Sequence, residues 1–247
     1  MLVSGCSEHN YSYISLMPNE PSFTNSGQFK TSGTVGFNHI EGQAAFSPIN
    51  HVSLLAGGFR GTDKQWSSEY GAAGYYGFNI ARRKAFFSAG CTFGEGDVRG
   101  EKYKGISNYN SNFTNYERIN GYYRSTNFQT VLYFHYDDNP KQVLGFVFKH
   151  SVVNYNYLVK DYLTKSGNYN LYTHNGLYEN NLMITGNYFA LFGHVESTKT
   201  PFYFNWQIGV KPISEVAELV EKYKTGKPSQ ADRIAFNTSI GIRLNFY

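Results

Sequence analysis

The chain has 247 residues, a formal net charge of +4, and 18% aromatic against 16% charged residues. So small and dispersed a charge argues against a nucleic-acid partner, and no run approaches the roughly 18 consecutive apolar residues of a membrane-crossing helix. Two distant cysteines, Cys6 and Cys91, have neither CxxC nor Cys/His spacing, so no metal or cofactor is expected.

In chain order, the first feature is Val3-Ser4-Gly5-Cys6, which resembles a bacterial lipobox. Cys6 is expected to carry a lipid; the plainer alternative is an ordinary thiol after a chance run of small residues. Only one acid, Glu8, follows closely, which places the lipid in the periplasmic leaflet. Residues 10–28 hold two prolines and no period, and read as a tether. The chain thus divides into a lipobox-like start and periplasmic tether, 1–28, and a β domain, 29–247.

Alternation of apolar and polar side chains then marks strands over 29–38, 42–47, 52–60, 70–79 and 84–94. Residues 61–68 are polar and carry Trp66. Residues 95–125, rich in Tyr, Asn and Ser, read as a long loop. Strands follow over 128–136 and 144–152, joined by the turn signal Asp137-Asp138-Asn139-Pro140. A second long Tyr/Asn segment, 154–180, precedes strands over 182–195 and 202–210. One short helix is expected over 214–224. Ser214 can cap it, and Val216, Leu219, Val220 and Tyr223 form its apolar stripe. Residues 234–247 make the last strand, with Ile240, Ile242, Leu244 and Phe246 on one face.

Short and long connections alternate along these strands, as in outer-membrane barrels. The expectation is an all-β, up-and-down antiparallel transmembrane β-barrel of about ten strands, both termini periplasmic. The rival is a soluble lipocalin-like barrel, whose apolar faces would turn inward. Parity puts Lys149 and Arg243 in the lumen, with Glu41 and Glu69 as partners of matching parity, because an unpaired buried charge is costly. A barrel this small is expected to be filled by side chains and not to form an open pore.

No GxSxG, HExxH or phosphate-cradling glycine loop is present, so no catalytic residue is assigned. An enzyme would need loop residues such as Asp97, Glu117, Asp161 and His174 to converge at the outer rim. Tyrosines among Asn and Ser suit protein or glycan contacts. Trp66, Tyr109, Tyr116, Tyr157, Tyr169, Tyr172, Leu219 and Tyr223 are the candidate partner contacts. An aromatic girdle explains the tyrosines equally well.

Phe23-Thr24, Gly27-Gln28, the run Gly42-Gln43-Ala44-Ala45-Phe46-Ser47-Pro48-Ile49 and His51-Val52-Ser53-Leu54-Leu55 resemble the opening hairpins of Bacteroidetes-type outer-membrane β-barrel proteins, many of them lipoproteins. The resemblance implies an outer-membrane location, lipid contact and no particular activity. It adds a role as accessory or structural subunit of a larger complex for secretion, uptake or barrel assembly. A rim-site barrel enzyme (protease or lipid-modifying) and a glycan- or ligand-binding surface protein are the alternatives.

Overall fold

The computed structural model describes residues 19, 23–35, 39–61, 65–80, 83–108, 111–136, 139–166, 177–197, 199–210 and 234–245. They form an antiparallel up-and-down sheet curled into a barrel-like wall. Its strands are β1 (Gln28–Val35), β2 (His39–Ile49), β3 (Val52–Gly61), β4 (Trp66–Ile80), β5 (Arg83–Asn108), β6 (Ser111–Tyr136), β7 (Asn139–Ser166), β8 (Leu177–Glu196) and β9 (Phe202–Val210). Each pairs with the next in sequence.

The period of two decides which face each side chain joins. Leu54, Tyr70, Phe87, Phe93, Phe128, Phe146, Phe189 and Phe204 lie exposed on the outside. Ala45, Leu55, Tyr75, Val131 and Val147 are buried inside, and so are Gln129, Lys149, Ser151 and Gln207. The greasy series is therefore the outer one, opposite to a lipocalin-like arrangement. A slip of one residue would reverse every position, so this contrast also fixes the register.

Three sequence expectations are corrected. Residues 95–125 and 154–180 are not simply loops. β5 runs on to Asn108, β6 starts at Ser111, β7 ends at Ser166 and β8 starts at Leu177. The stretch before Tyr70 is partly strand as well, since β4 begins at Trp66. The third concerns the tether, parts of which lie inside the wall, as described below. The extended portions hold together through an inner cluster of Val98, Tyr123, Val153, Tyr155, Leu158 and Ile184. Their register sets opposite charges across from one another, Lys102 with Glu117 and Arg118 with both Glu101 and Asp161, an arrangement that favours that pairing. At about 3.3 Å per residue, the 26 residues of β5 reach about 85 Å and the 8 of β1 about 26 Å. The wall is consequently tall along β5–β8 and low along β1–β3 and β9.

β4 and β5 approach closely at two inner-face glycines. A Cβ on Gly71 would overlap the Cys91 carbonyl and the Thr92 Cα, and one on Gly90 would overlap Ala73. Glycine at these positions lets the two backbones come closer than any larger side chain would permit. The expected helix over 214–224, and Leu219 and Tyr223 on it, lie outside the described residues, as does Cys6.

Candidate functional site

Along β5–β8 the interior holds an apolar cluster toward the short-turn end and a polar layer above it. The lower part holds Phe86, Val131, Tyr133, Val143, Val147 and Phe192, with the Phe86 and Tyr133 rings stacked 5.1 Å apart. Above them, Lys149 of β7 reaches across to Glu69 of β4, with Nζ 2.7 Å from Oε2 and 2.9 Å from Oε1. Thr92 Oγ1 donates to Glu69 Oε2 at 3.2 Å, and Asn127 Nδ2 donates to Thr92 Oγ1 at 3.2 Å. Lys149 is 1% exposed. An ammonium there is tolerable only because the carboxylate is paired and hydrogen-bonded as well.

A second charged group joins strands far apart in sequence. Lys30 of β1 contacts Glu196 of β8 at 3.0 Å. Glu196 Oε1 also lies 2.8 Å from His194 Nε2, and His194 Nδ1 lies 2.8 Å from the Asn205 side chain. Lys30 already balances Glu196, so a neutral imidazole leaves the group electroneutral. That state has Nε2–H donating to Glu196 and needs the Asn205 amide turned over, so that its nitrogen rather than the Oδ1 placed at 2.8 Å faces Nδ1 and donates to it. The Tyr203 ring packs 4.5 Å from the His194 ring, and its hydroxyl donates to the Thr31 carbonyl at 3.0 Å. Gln207, buried nearby on β9, has neither amide atom bonded among the described residues.

The third interior element is the N-terminal segment. Gly27 N–H donates to the Ser47 carbonyl at 2.7 Å, and Ser26 N–H to Asn50 Oδ1 at 2.9 Å, both near the β2–β3 turn. Phe23 is buried with Ala45, Leu55, Ala73 and Tyr75, and its carbonyl accepts from the Tyr133 hydroxyl at 2.8 Å. Asn19 bridges the interior. Its Nδ2 donates to the carbonyls of Ala44 and Ala56, at 2.9 and 3.1 Å. Its own carbonyl accepts from Gln129 Nε2 at 2.8 Å. This part of the predicted tether is packed against the inner wall because Phe23 has an apolar cluster to fill there.

Of the predicted lumen charges, the structure brings Lys149 and Glu69 together. Glu41 is buried on β2 and accepts from Gln43 Nε2 at 3.1 Å. Arg243 stands opposite Lys30 in register. Among the predicted partner contacts, Trp66 begins β4 and Tyr157 lies opposite Tyr122, both half-buried, while Tyr116 lies opposite Tyr103. Tyr109, Tyr169 and Tyr172 are outside the described residues. Asp97 lies opposite Tyr122 and Glu117 opposite Lys102. Asp97 and Lys102 share β5, so the two acids are about 17 Å apart along the hairpin. Asp97 Oδ2 instead accepts from Arg99 at 2.6 and 2.9 Å. Glu117 and Asp161 sit at register positions of opposite parity, since Asp161 pairs with Arg118. His174 is outside the described residues. Among the described residues no group of three or more His, Cys, Asp or Glu could hold a metal ion.

Lys30, His194, Glu196, Asn19 and Phe23 were not singled out as interior groups by sequence reasoning. Lys30 and Glu196 have the inward parity of their strands, a signal that could have paired them once β1 and β8 were known to face each other. Outside, a shallow furrow is lined by Phe87, Leu132, Phe146, Phe148, Phe189 and Ile208. Comparison with protein-family models, with curated proteins and with solved structures gives no match.

Proposed function

We propose that the chain is a ten-stranded transmembrane β-barrel of a bacterial outer membrane, its interior occluded, serving without catalysis as an accessory or structural subunit of a larger outer-membrane assembly. The observation that carries this reading is inverted polarity: large apolar side chains lie exposed outside, while two ion pairs and a polar network are buried within. Water would penalise that outer face, whereas hydrocarbon solvates it.

Closure is supported from two directions. A tenth strand, β10 (Ile234–Asn245), runs antiparallel to both neighbours, with Phe236 opposite Ile208 of β9 and Leu244 opposite Phe29 of β1. Independently, Lys30 and Thr31 of β1 contact Glu196 of β8 and Tyr203 of β9. A membrane reading requires closure, because an open sheet edge cannot face hydrocarbon. The apolar band has an upper limit that fits this reading. On β5 the outward series Phe87, Ala89, Cys91, Phe93 gives way to Glu95, and on β6 the series ending at Phe128 gives way to Arg124 and Tyr122. Tyr122 donates to Glu95 at 2.6 Å. The tall β5–β8 wall above this limit, with its tyrosines, supplies contact surface for a partner. The outer furrow supplies a place for close packing inside the bilayer, where packing drives association.

The test is fractionation. The protein is expected in the outer membrane, migrating faster on gels when unboiled than when boiled, and giving no steady conductance in planar bilayers. Full solubility without detergent, in a form lacking Cys6, would refute the membrane reading. Steady conductance would refute occlusion. Purification as a lone monomer, with no partner after crosslinking in its host, would refute the subunit role.

A further inference from the structure

We propose that the edge of β8 over residues 182–187 is a docking site, which takes up one extended strand of another protein by main-chain pairing. This rests on the accessory-subunit reading above and gives it a point of attachment.

The edge follows from unequal strand lengths. β9 ends at Val210, opposite Phe189, so β8 continues toward Leu177 beyond its neighbour. Among the described residues, 182–187 pair with β7 alone, from Tyr155 opposite Leu182 to His150 opposite Asn187. In an antiparallel strand about half of the N–H and C=O groups bond to each side. One row of them therefore points away from β7, spaced for a further strand. The regular stretch is bounded below by β9. Above, it is bounded by Asn181, whose φ of 57° falls where the register with β7 skips a position. That leaves about 20 Å of edge, the usual length of one strand.

Both faces of this edge have room. Outside, Met183 is 66% exposed, and Thr185 and Asn187 are exposed beside it. On the inner face a Cβ at Gly186 would meet nothing within 4 Å. Ile184 belongs to the buried cluster with Val153 and Tyr155, and Leu182 packs against that cluster. An added strand would extend the cluster through every second residue, with space for a bulky one beside Gly186. An extended segment with apolar side chains at alternate positions is thus the chemistry this edge selects.

The other edge of the tall wall is guarded, and the contrast sharpens the assignment. β4 starts at Trp66, opposite Asp97, so β5 also continues beyond its neighbour. There the Gln65 side chain donates to the Arg99 carbonyl, and Glu101, Lys102 and Lys104 follow along the strand. An occupied carbonyl and a run of charges discourage strand addition. Residues 182–187 contain neither a charge nor a proline. A second copy of this chain does not fit by the same edge. Two barrels standing the same way up in one membrane would meet about a twofold axis along its normal. Their β8 strands would then run parallel with identical residues level, and donors would face donors.

The test uses the purified full chain in micelles, with amide hydrogen exchange read by mass spectrometry. The probe is a synthetic peptide with the sequence of residues 151–156. β8 already accepts that sequence on its other side, with Val153 opposite Ile184 and Tyr155 opposite Leu182. In the chain alone, about half of the amides over 182–187 are expected to exchange as fast as unprotected ones. Saturating peptide is expected to slow that fraction by about tenfold or more. The same peptide with proline in place of its Val153 is expected to leave it unchanged. The double variant Met183→Lys/Thr185→Lys, at two outward positions, is expected to keep the compact form on unboiled gels and to lose the slowing. Amides already slow in the chain alone would overturn the proposal. So would exchange that the peptide does not move, equal slowing by the proline peptide, or dimers formed through this edge. Any of these in a chain that fractionates with the outer membrane strikes the edge alone. Absence from the outer membrane strikes the reading on which the edge rests.

Discussion

The Lys149–Glu69 pair offers the sharpest test of the interior. Substituting Lys149→Met keeps the length and apolar volume of the side chain and removes the charge. Glu69 is then left with a side chain 10% exposed and only Thr92 donating to it among the contacts described. Removing one partner of a buried pair costs about 3–5 kcal/mol, roughly a hundred- to several-thousand-fold in the folding equilibrium. The double variant Lys149→Met/Glu69→Gln removes both charges, and is expected to recover most of the stability. The reason is that replacing a buried pair wholesale is often neutral. Urea unfolding of refolded protein in micelles supplies the numbers, with Trp66 and Trp206 as the two fluorophores. Trp66 sits three residues from Glu69 on the same strand, so it reports locally. If Lys149→Met lies within about 1 kcal/mol of the parent, the pair is solvated in the way of a surface ion pair. The occluded, low-dielectric interior would then be refuted.

Phe23→Ala is expected to cost about 3–5 kcal/mol in the same assay, the usual range for a buried Phe; a loss below about 1 kcal/mol would mean that the segment is not anchored inside. Gly71→Val is expected to prevent the compact form seen on unboiled gels, because its side chain overlaps the β5 backbone. Gly42→Ala, where nothing lies within 4 Å of a Cβ, should leave that form unchanged. The Glu95 acceptor, and to a lesser degree burial, raises the Tyr122 phenol above its ordinary value. The folded state thus binds that proton more tightly than the unfolded state. The contribution is present below about pH 10, the unfolded tyrosine range, and lost as pH rises through the higher folded value. Tyr122 is largely solvated, so the effect should be small, and Tyr122→Phe should remove that component of the alkaline loss in a pH-resolved urea titration.

What was legible in the sequence was contrast between faces. On β9, Phe202, Phe204 and Ile208 alternate with Tyr203, Asn205 and Gln207, and the structure exposes the first set and half-buries or buries the second. Parity also put Lys149 and Glu69 on one side of the wall. It could not choose between Glu69 and Glu41 as the partner, because parity fixes a face but not a height. Height comes from register, and register depends on every hairpin before it. The upper β5–β8 wall was missed for a related reason. Its inner residues Val98, Tyr123, Tyr155 and Leu158 are separated by residues nearly as polar as a loop, so no period stands out. The charges did carry a signal: Glu101 and Lys102 stand opposite Arg118 and Glu117 in the register of a hairpin whose last pair is Asn108 with Ser111. Mirror-image opposite charges about a common centre are what a long antiparallel pair favours.

The N-terminal segment was illegible for a different reason. Its only apolar anchor among the described residues is Phe23, and the rest of the attachment described above is through its backbone N–H and carbonyl groups and the Asn19 side chain. Backbone groups leave no trace in sequence composition. Yet the interior needs something of this kind. Without Phe23, the apolar faces of Ala45, Leu55 and Ala73 would line an unfilled space at the short-turn end, and such a void forfeits packing on every side. Small side chains on β2–β4 and a bulky insert from the N-terminus are therefore two halves of one arrangement. Enlarging the wall, for example Ala73→Leu, should expel the insert. In the urea assay the insert would then no longer contribute, so adding Phe23→Ala to such a variant is expected to cost less than about 1 kcal/mol, against about 3–5 kcal/mol in the parent.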